Sequence, residues 1–85
     1  MSTYQVELTA AAIKSLAKVH PKDRGRIEGA ITLLAIDPRP PAASPLKGRD
    51  GWRLRVGDHR ILYVIDDGVL VIVVVAIGHR REVYR

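Results

Sequence analysis

The chain has 85 residues, 47% of them apolar, and 14 Lys and Arg against nine Asp and Glu. One domain over residues 1–85 fits that length, and the apolar content excludes a disordered chain. The absence of cysteine excludes a disulfide framework and a thiolate zinc site, and the net charge of +5 favours an acidic partner, either nucleic acid or an acidic protein.

Charge does not segregate along the chain. Residues 1–46 carry six cations and four anions, and residues 47–85 carry eight and five. Any basic patch must therefore be assembled by folding. Glu7 interrupts the N-terminal apolar pattern, so no secretory leader is expected. The longest apolar run, Val69 to Ile77, is nine residues, far short of the ~20 a membrane-spanning helix needs. A cytoplasmic protein without a membrane partner is the expectation.

Tyr4 to Leu8 alternates apolar and polar residues, as a half-buried strand does. Thr9 is a good N-cap, and Ile13, Leu16 and Val19 at three-residue spacing predict a short amphipathic helix with Lys14 and Lys18 on another side. His20-Pro21 ends that helix, and Pro21 suits the first position of a second one. Ile27, Ala30, Ile31 and Leu34 supply its apolar stripe. Gly25 and Gly29 each cost up to about 1 kcal/mol against alanine, so a weak start is expected.

Asp37-Pro38 closes the second helix. Pro38 to Pro45 holds four prolines and reads as a semi-rigid connection without regular structure. Three strands follow: Gly51 to Val56, His59 to Ile65 after the Gly57-Asp58 turn, and Val69 to Ile77 after Asp66-Asp67-Gly68. The last is apolar throughout, which predicts a central strand covered on both faces. Glu82 to Tyr84 is a candidate edge strand. The expected fold is α+β, with two N-terminal helices on a mainly antiparallel four- to five-stranded sheet in β-α-α-β-β-β order.

The chemistry is concentrated in the strands and the tail. Trp52, Leu54 and Val56 alternate with Arg53 and Arg55, so the apolar trio can enter a core while both guanidiniums emerge on the other face. Arg60 returns beside Arg55 across a tight turn. Arg80 follows the next strand, and Tyr84 lies four positions on. Aligned cations repel each other, and an anionic ligand supplies the missing charge. Guanidiniums fixed around a phosphodiester stabilise the charge that develops on its nonbridging oxygens, and an arginine cluster with one aromatic suits a phosphate-and-base site.

Trp52 and Tyr63 read as core or core rim, and His20 as part of a helix junction. His59 and His79 are candidates for proton transfer, since histidine is the commonest general acid or base. Strand alternation argues against both sharing a face with Arg60 and Arg80, unless a bulge at Gly78 turns His79. No His, Asp and Glu set has metal-ligand spacing.

Gly57-Asp58-His59-Arg60-Ile61-Leu62-Tyr63 and Gly78-His79-Arg80-Arg81-Glu82-Val83-Tyr84 are specific in combination. With the Tyr4-to-Leu8 strand, the Leu16-to-Pro21 junction and Pro45-Leu46-Lys47-Gly48, they resemble the RelE/ParE superfamily of bacterial type II toxin–antitoxin toxins over nearly the whole chain. The RelE-like branch implies a metal-independent, ribosome-dependent mRNA endoribonuclease without a cofactor. Its site positions fall on Arg53, Arg55, Arg60, Arg80 and Tyr84, with Lys47, Arg49, Arg81 and Arg85 as further RNA contacts. The resemblance also implies an acidic, DNA-binding antitoxin as partner, ribosome and mRNA as targets, and oligomers formed only through the antitoxin.

The ParE-like branch implies a DNA gyrase inhibitor without nuclease chemistry. A third possibility is an inactive toxin-fold component of a repressor complex. The first two site positions are often lysine in RelE-like toxins and are arginine here, a poor general base. The chain ends at Arg85, so the C-terminal helix of some members is not expected, leaving its groove open or for the antitoxin.

Overall fold

A computed structural model describes residues 3–79. Strand β1 (Gln5–Leu8) leads into α1 (Ala10–Lys18) and α2 (Pro21–Leu34). Four strands follow: β2 (Ala43–Pro45), β3 (Trp52–Val56), β4 (His59–Asp66) and β5 (Val71–His79). The sheet order is β1-β5-β4-β3-β2, antiparallel except for the parallel β1–β5 pair.

Both helices lie on one face of this sheet, and the core forms between them. Ala12, Val19, Ile27, Ile31 and Leu34 pack on Leu54, Ile61, Tyr63, Ile72, Val74 and Ile77. Thr9 caps α1 by accepting the Ala12 amide at 3.1 Å. The buried stripe of α1 runs Ala12, Leu16, Val19, while Ile13 is 56% exposed. That corrects the expected stripe. A small residue at position 12 lets the helix approach β5 closely, and the i, i+4, i+7 row then turns Ile13 outward.

The start of α2 is firmer than the glycines suggest. Pro21 occupies its first turn, the His20 side chain accepts the Lys22 amide at 3.2 Å, and Asp23 lies in the first turn, where a carboxylate is favoured. Arg24 reaches back to α1 and donates to the carbonyls of Leu16 (3.2 Å), Ala17 (3.0 Å) and Val19 (3.0 Å). One guanidinium thus satisfies orphan acceptors at the helix C-terminus.

The proline-rich connection is partly regular, contrary to expectation. Ala43, Ser44 and Pro45 pair with Leu54, Arg53 and Trp52 as β2. Proline is tolerated there because β2 is an edge strand with no neighbour on its outer side. The segment is pinned further by the Tyr63 hydroxyl, which donates to the Pro38 carbonyl at 2.7 Å. Arg39 pairs with Asp67 at 2.8 Å and lies 5.6 Å over the Trp52 ring.

Two glycines hold turns. Gly51 has φ 129°, and a Cβ there would meet Leu46 at 3.0 Å and the Tyr63 carbonyl at 3.2 Å. Gly57 has φ 60° at the first position of the β3–β4 hairpin turn, the position glycine takes in such two-residue turns.

β5 is central, but the helices cover only one of its faces. Ile72, Val74 and Ile77 are buried, while Val75 remains 37% exposed. Leu62 pairs with Ala76 and Tyr63 with Val74, so Val75 is the extra residue of a bulge. The Thr9 hydroxyl donates to the Val75 carbonyl at 3.0 Å, which anchors α1 at that point. The bulge does not fall at Gly78, which pairs regularly with Arg60. Glu82 to Tyr84, the candidate edge strand, lies outside the described residues.

Candidate nucleic-acid interface

The register decides which cations meet. Trp52, Leu54 and Val56 of β3 face the helices or their rim, so Arg53 and Arg55 emerge on the open face. Arg60 is directly opposite Arg55, and Gly78 is directly opposite Arg60 on the other side. Opposed residues of an antiparallel pair have Cβ atoms about 5 Å apart. The backbone positions of three arginines therefore neighbour one another on that face, and Gly78 presents no side chain beside them.

Their surroundings differ. Arg55 is exposed, while Arg53 and Arg60 are half-buried. The Arg55 side chain curls over the sheet edge, and its Nε donates to the Gly57 carbonyl at 3.2 Å. Arg26 of α2 comes to the same turn, with its Nη1 3.5 Å from where a Gly57 Cβ would stand. Nothing in the sequence flagged Arg26. It lies on a helix far from the hairpin in the chain, and only packing brings it there.

Lys47 and Arg49 are exposed in the β2–β3 loop, at the Trp52 end of β3. Three residues of strand, roughly 10 Å, separate Trp52 from Arg55, so these two cations stand toward Arg53, at the end of β3 away from the Arg55–Arg60 pair. Arg80, Arg81, Tyr84 and Arg85 lie outside the described residues.

His59 and His79 occupy the helix side of the sheet. They pair across β4 and β5, with ring centroids 5.9 Å apart in an edge-to-face contact. They line an open cleft of about 490 Å³ with Ser15, Lys18, His20 and Asp23. Strand alternation thus turns His59 away from its neighbour Arg60. Among the described residues, no group of three or more His, Cys, Asp or Glu is placed to hold a metal ion, and no helix is long and apolar enough to cross a membrane.

A family model described as the ParE toxin of the parDE type II toxin–antitoxin system matches residues 6–84. The chain belongs to the RelE/ParE superfamily of type II toxins. The fold of this toxin is also that of solved RelE proteins. It matches the RelBE2 toxin–antitoxin complex of Mycobacterium tuberculosis with a TM-score of 0.83 and 27% identity, over 92% of this chain and 99% of that one. The archaeal RelE–RelB complex of Pyrococcus horikoshii gives 0.84 and 24%, over 94% and 98%. YafQ of Escherichia coli gives 0.79 and 16%, over 96% and 99%. No curated protein sequence matches the toxin.

Proposed function

We propose that this toxin is a ribosome-dependent mRNA endoribonuclease that inhibits translation, held inactive by a cognate acidic antitoxin. The observation that carries the reading is the strand register that sets Arg53, Arg55 and Arg60 at neighbouring positions on one face of the sheet. In the proposed reaction an RNA 2′-oxygen attacks the adjacent phosphorus and the bond to the 5′-oxygen breaks. The 2′-proton passes to solvent water, the 5′-oxygen takes a proton from solvent water, and a 2′,3′-cyclic phosphate remains.

Arg53 and Arg60 hold the phosphate and stabilise the charge that builds on its nonbridging oxygens, and Arg55 closes the rim. By the family motif, Arg80 stabilises the scissile phosphate or leaving oxygen, and Tyr84 orients a base by stacking. Lys47, Arg49, Arg81 and Arg85 contact the RNA strand away from the scissile bond. The nucleophile is internal to the substrate and the guanidiniums supply the positive charge, so no cofactor is invoked. His59 and His79 hold the end of the hairpin to β5 and take no proton in this scheme.

The match to ParE toxins over residues 6–84 favours a second reading, inhibition of DNA gyrase by binding. One experiment separates the two. Purified toxin is added in parallel to translating ribosomes, with primer extension on the message, and to a gyrase supercoiling assay. Cuts within ribosome-bound message and unchanged supercoiling are expected. Intact message with lost supercoiling would replace the first reading by the second.

A further inference from the structure

His59 and His79 lie far apart in the chain and meet in the fold. His59 opens β4, His79 closes β5, and the antiparallel register sets them directly opposite each other. Opposed residues of such a pair have Cβ atoms about 5 Å apart. Both share the helix side of the sheet with Ile61 and Ile77, which lie two positions along each strand. Their ring centroids are 5.9 Å apart, with the ring planes at 76°. Spacing along the sequence cannot reveal this pair, because only the pairing of β4 with β5 creates it.

Imidazole nitrogen is a favoured ligand of Zn²⁺, Ni²⁺ and Cu²⁺. With metal–nitrogen bonds of about 2.0–2.1 Å, two rings on one tetrahedral ion have centroids roughly 5–6 Å apart. The His59–His79 pair falls within that range. His59 is half-buried and His79 exposed, so packing holds one ring while the other can rotate to complete the chelate. The pair opens on the cleft of about 490 Å³, which has room for the waters that fill the remaining coordination positions. Ser15 and Asp23 line the same cleft, and both side chains are of the type that accepts hydrogen bonds from metal-bound water.

Two other residues of the cleft bear on the ligand. Lys18 lines it, but Asp23 offsets that charge, and a lysine ammonium can stay in solvent at the end of its flexible stem. An anion fits less well, because the half-buried Asp23 carboxylate lines the same walls. His20 is committed elsewhere. Its Nδ1 accepts the Lys22 amide as the cap of α2, which leaves the proton of the neutral ring on Nε2 and no free lone pair on either nitrogen. The ligand count is therefore two, consistent with the absence among the described residues of any group of three or more placed to hold a metal ion.

We propose that His59 and His79 form a two-histidine clamp for a late first-row divalent ion, Zn²⁺ or Ni²⁺, on the face of the sheet opposite the arginines. The ion takes no part in the chemistry proposed above. It ties the first residue of β4 to the last of β5, and with them the strand end that carries Arg60. The clamp is independent of whether the toxin acts on mRNA or on gyrase.

The test is isothermal titration of Zn²⁺ and of Ni²⁺ into tag-free toxin, for the wild type, His59→Ala, His79→Ala and His20→Ala, with circular dichroism to confirm folding. The wild type should bind one ion per chain with micromolar affinity. His59→Ala and His79→Ala should each weaken binding by about tenfold or more, since loss of even an outer partner of a metal ligand costs roughly that much. His20→Ala should bind as the wild type does. His79 is exposed, so its variant decides the matter if His59→Ala unfolds. Zn²⁺ should also raise the melting temperature of the wild type, EDTA should reverse the rise, and His79→Ala should show none. Mg²⁺, which prefers oxygen ligands, should do nothing.

Binding only at millimolar ion would overturn the clamp. So would wild-type affinity in both His59→Ala and His79→Ala, which would place the ion elsewhere, or an equal loss in His20→Ala, which would give the site a different ligand set. One ion shared between two chains would replace the clamp within a chain by a contact between chains and overturn it as stated.

Discussion

Tyr63→Phe is the substitution whose effect the structure sizes most directly. Tyr63 is fully buried, and its hydroxyl donates to the Pro38 carbonyl at 2.7 Å. Removing the oxygen keeps the ring, so no large cavity forms, and the loss of one hydrogen bond costs about 1 kcal/mol at neutral pH. The same burial pushes the phenol from 10.0 up to about 12. The unfolded chain therefore releases this proton first as pH rises.

The folded pKa is the higher one, so the associated stability is fully present below pH ~10 and is lost as pH climbs through about 12. At pH 11 the wild type should have lost about 1.4 kcal/mol that phenylalanine cannot lose. The variant's deficit of about 1 kcal/mol at pH 8 should thus shrink to nothing, or change sign, by pH 11. Paired urea denaturation at pH 8, 10 and 11 measures this, and every contribution common to the two proteins cancels. A gap that stays constant across that range would refute the buried-phenol account.

Three further outcomes are expected. Arg55→Ala and Arg60→Ala should each slow single-turnover cleavage on ribosomes by roughly 10²–10³-fold; wild-type rates in folded variants would remove these residues from the site. Arg60 is half-buried, so its variant needs a melting curve beside the rate. Arg24→Ala should destabilise the protein by about 1–3 kcal/mol, because the carbonyls of Leu16 and Ala17 in α1 and of its C-cap Val19 lose a charged donor, and a variant as stable as the wild type would argue that water replaces it. The Arg39 guanidinium and the Tyr4 hydroxyl hold the Asp67 carboxyl below its ordinary 3.8. The stability this contributes is present above pH ~4 and lost as pH falls through the lower folded value. Acid unfolding of Asp67→Asn should therefore show a shallower loss below pH 4 than the wild type.

The strand placement of the candidate site residues could be read from the sequence because strand alternation is a local rule. Trp52, Leu54 and Val56 declare which face is buried, which sends Arg53 and Arg55 to the other. The Gly57-Asp58 turn then fixes Arg60 opposite Arg55, since a two-residue hairpin leaves one register. The same rule turned His59 away from Arg60. The α2 stripe was equally legible, with Ile27, Ile31 and Leu34 buried as their spacing requires.

Contacts between distant segments were not legible. Ile13 satisfies helical spacing as well as Ala12 does, and only the close approach of α1 to β5 selects the smaller residue for the interior. Pro45 argues against a strand until an edge with no outer neighbour makes its missing amide harmless. An unbroken apolar run from Val69 to Ile77 does not reveal that helices cover one face, nor that Val75 is a bulge whose carbonyl finds Thr9. Arg24 and Arg26 look like solvated helix charges, yet one caps a preceding helix and the other reaches a hairpin about thirty residues away. The sequence determines the period and polarity of each element through forces acting over a few residues. Which faces remain open, and which cations converge on them, is decided by packing, because those contacts exist only after distant segments have closed.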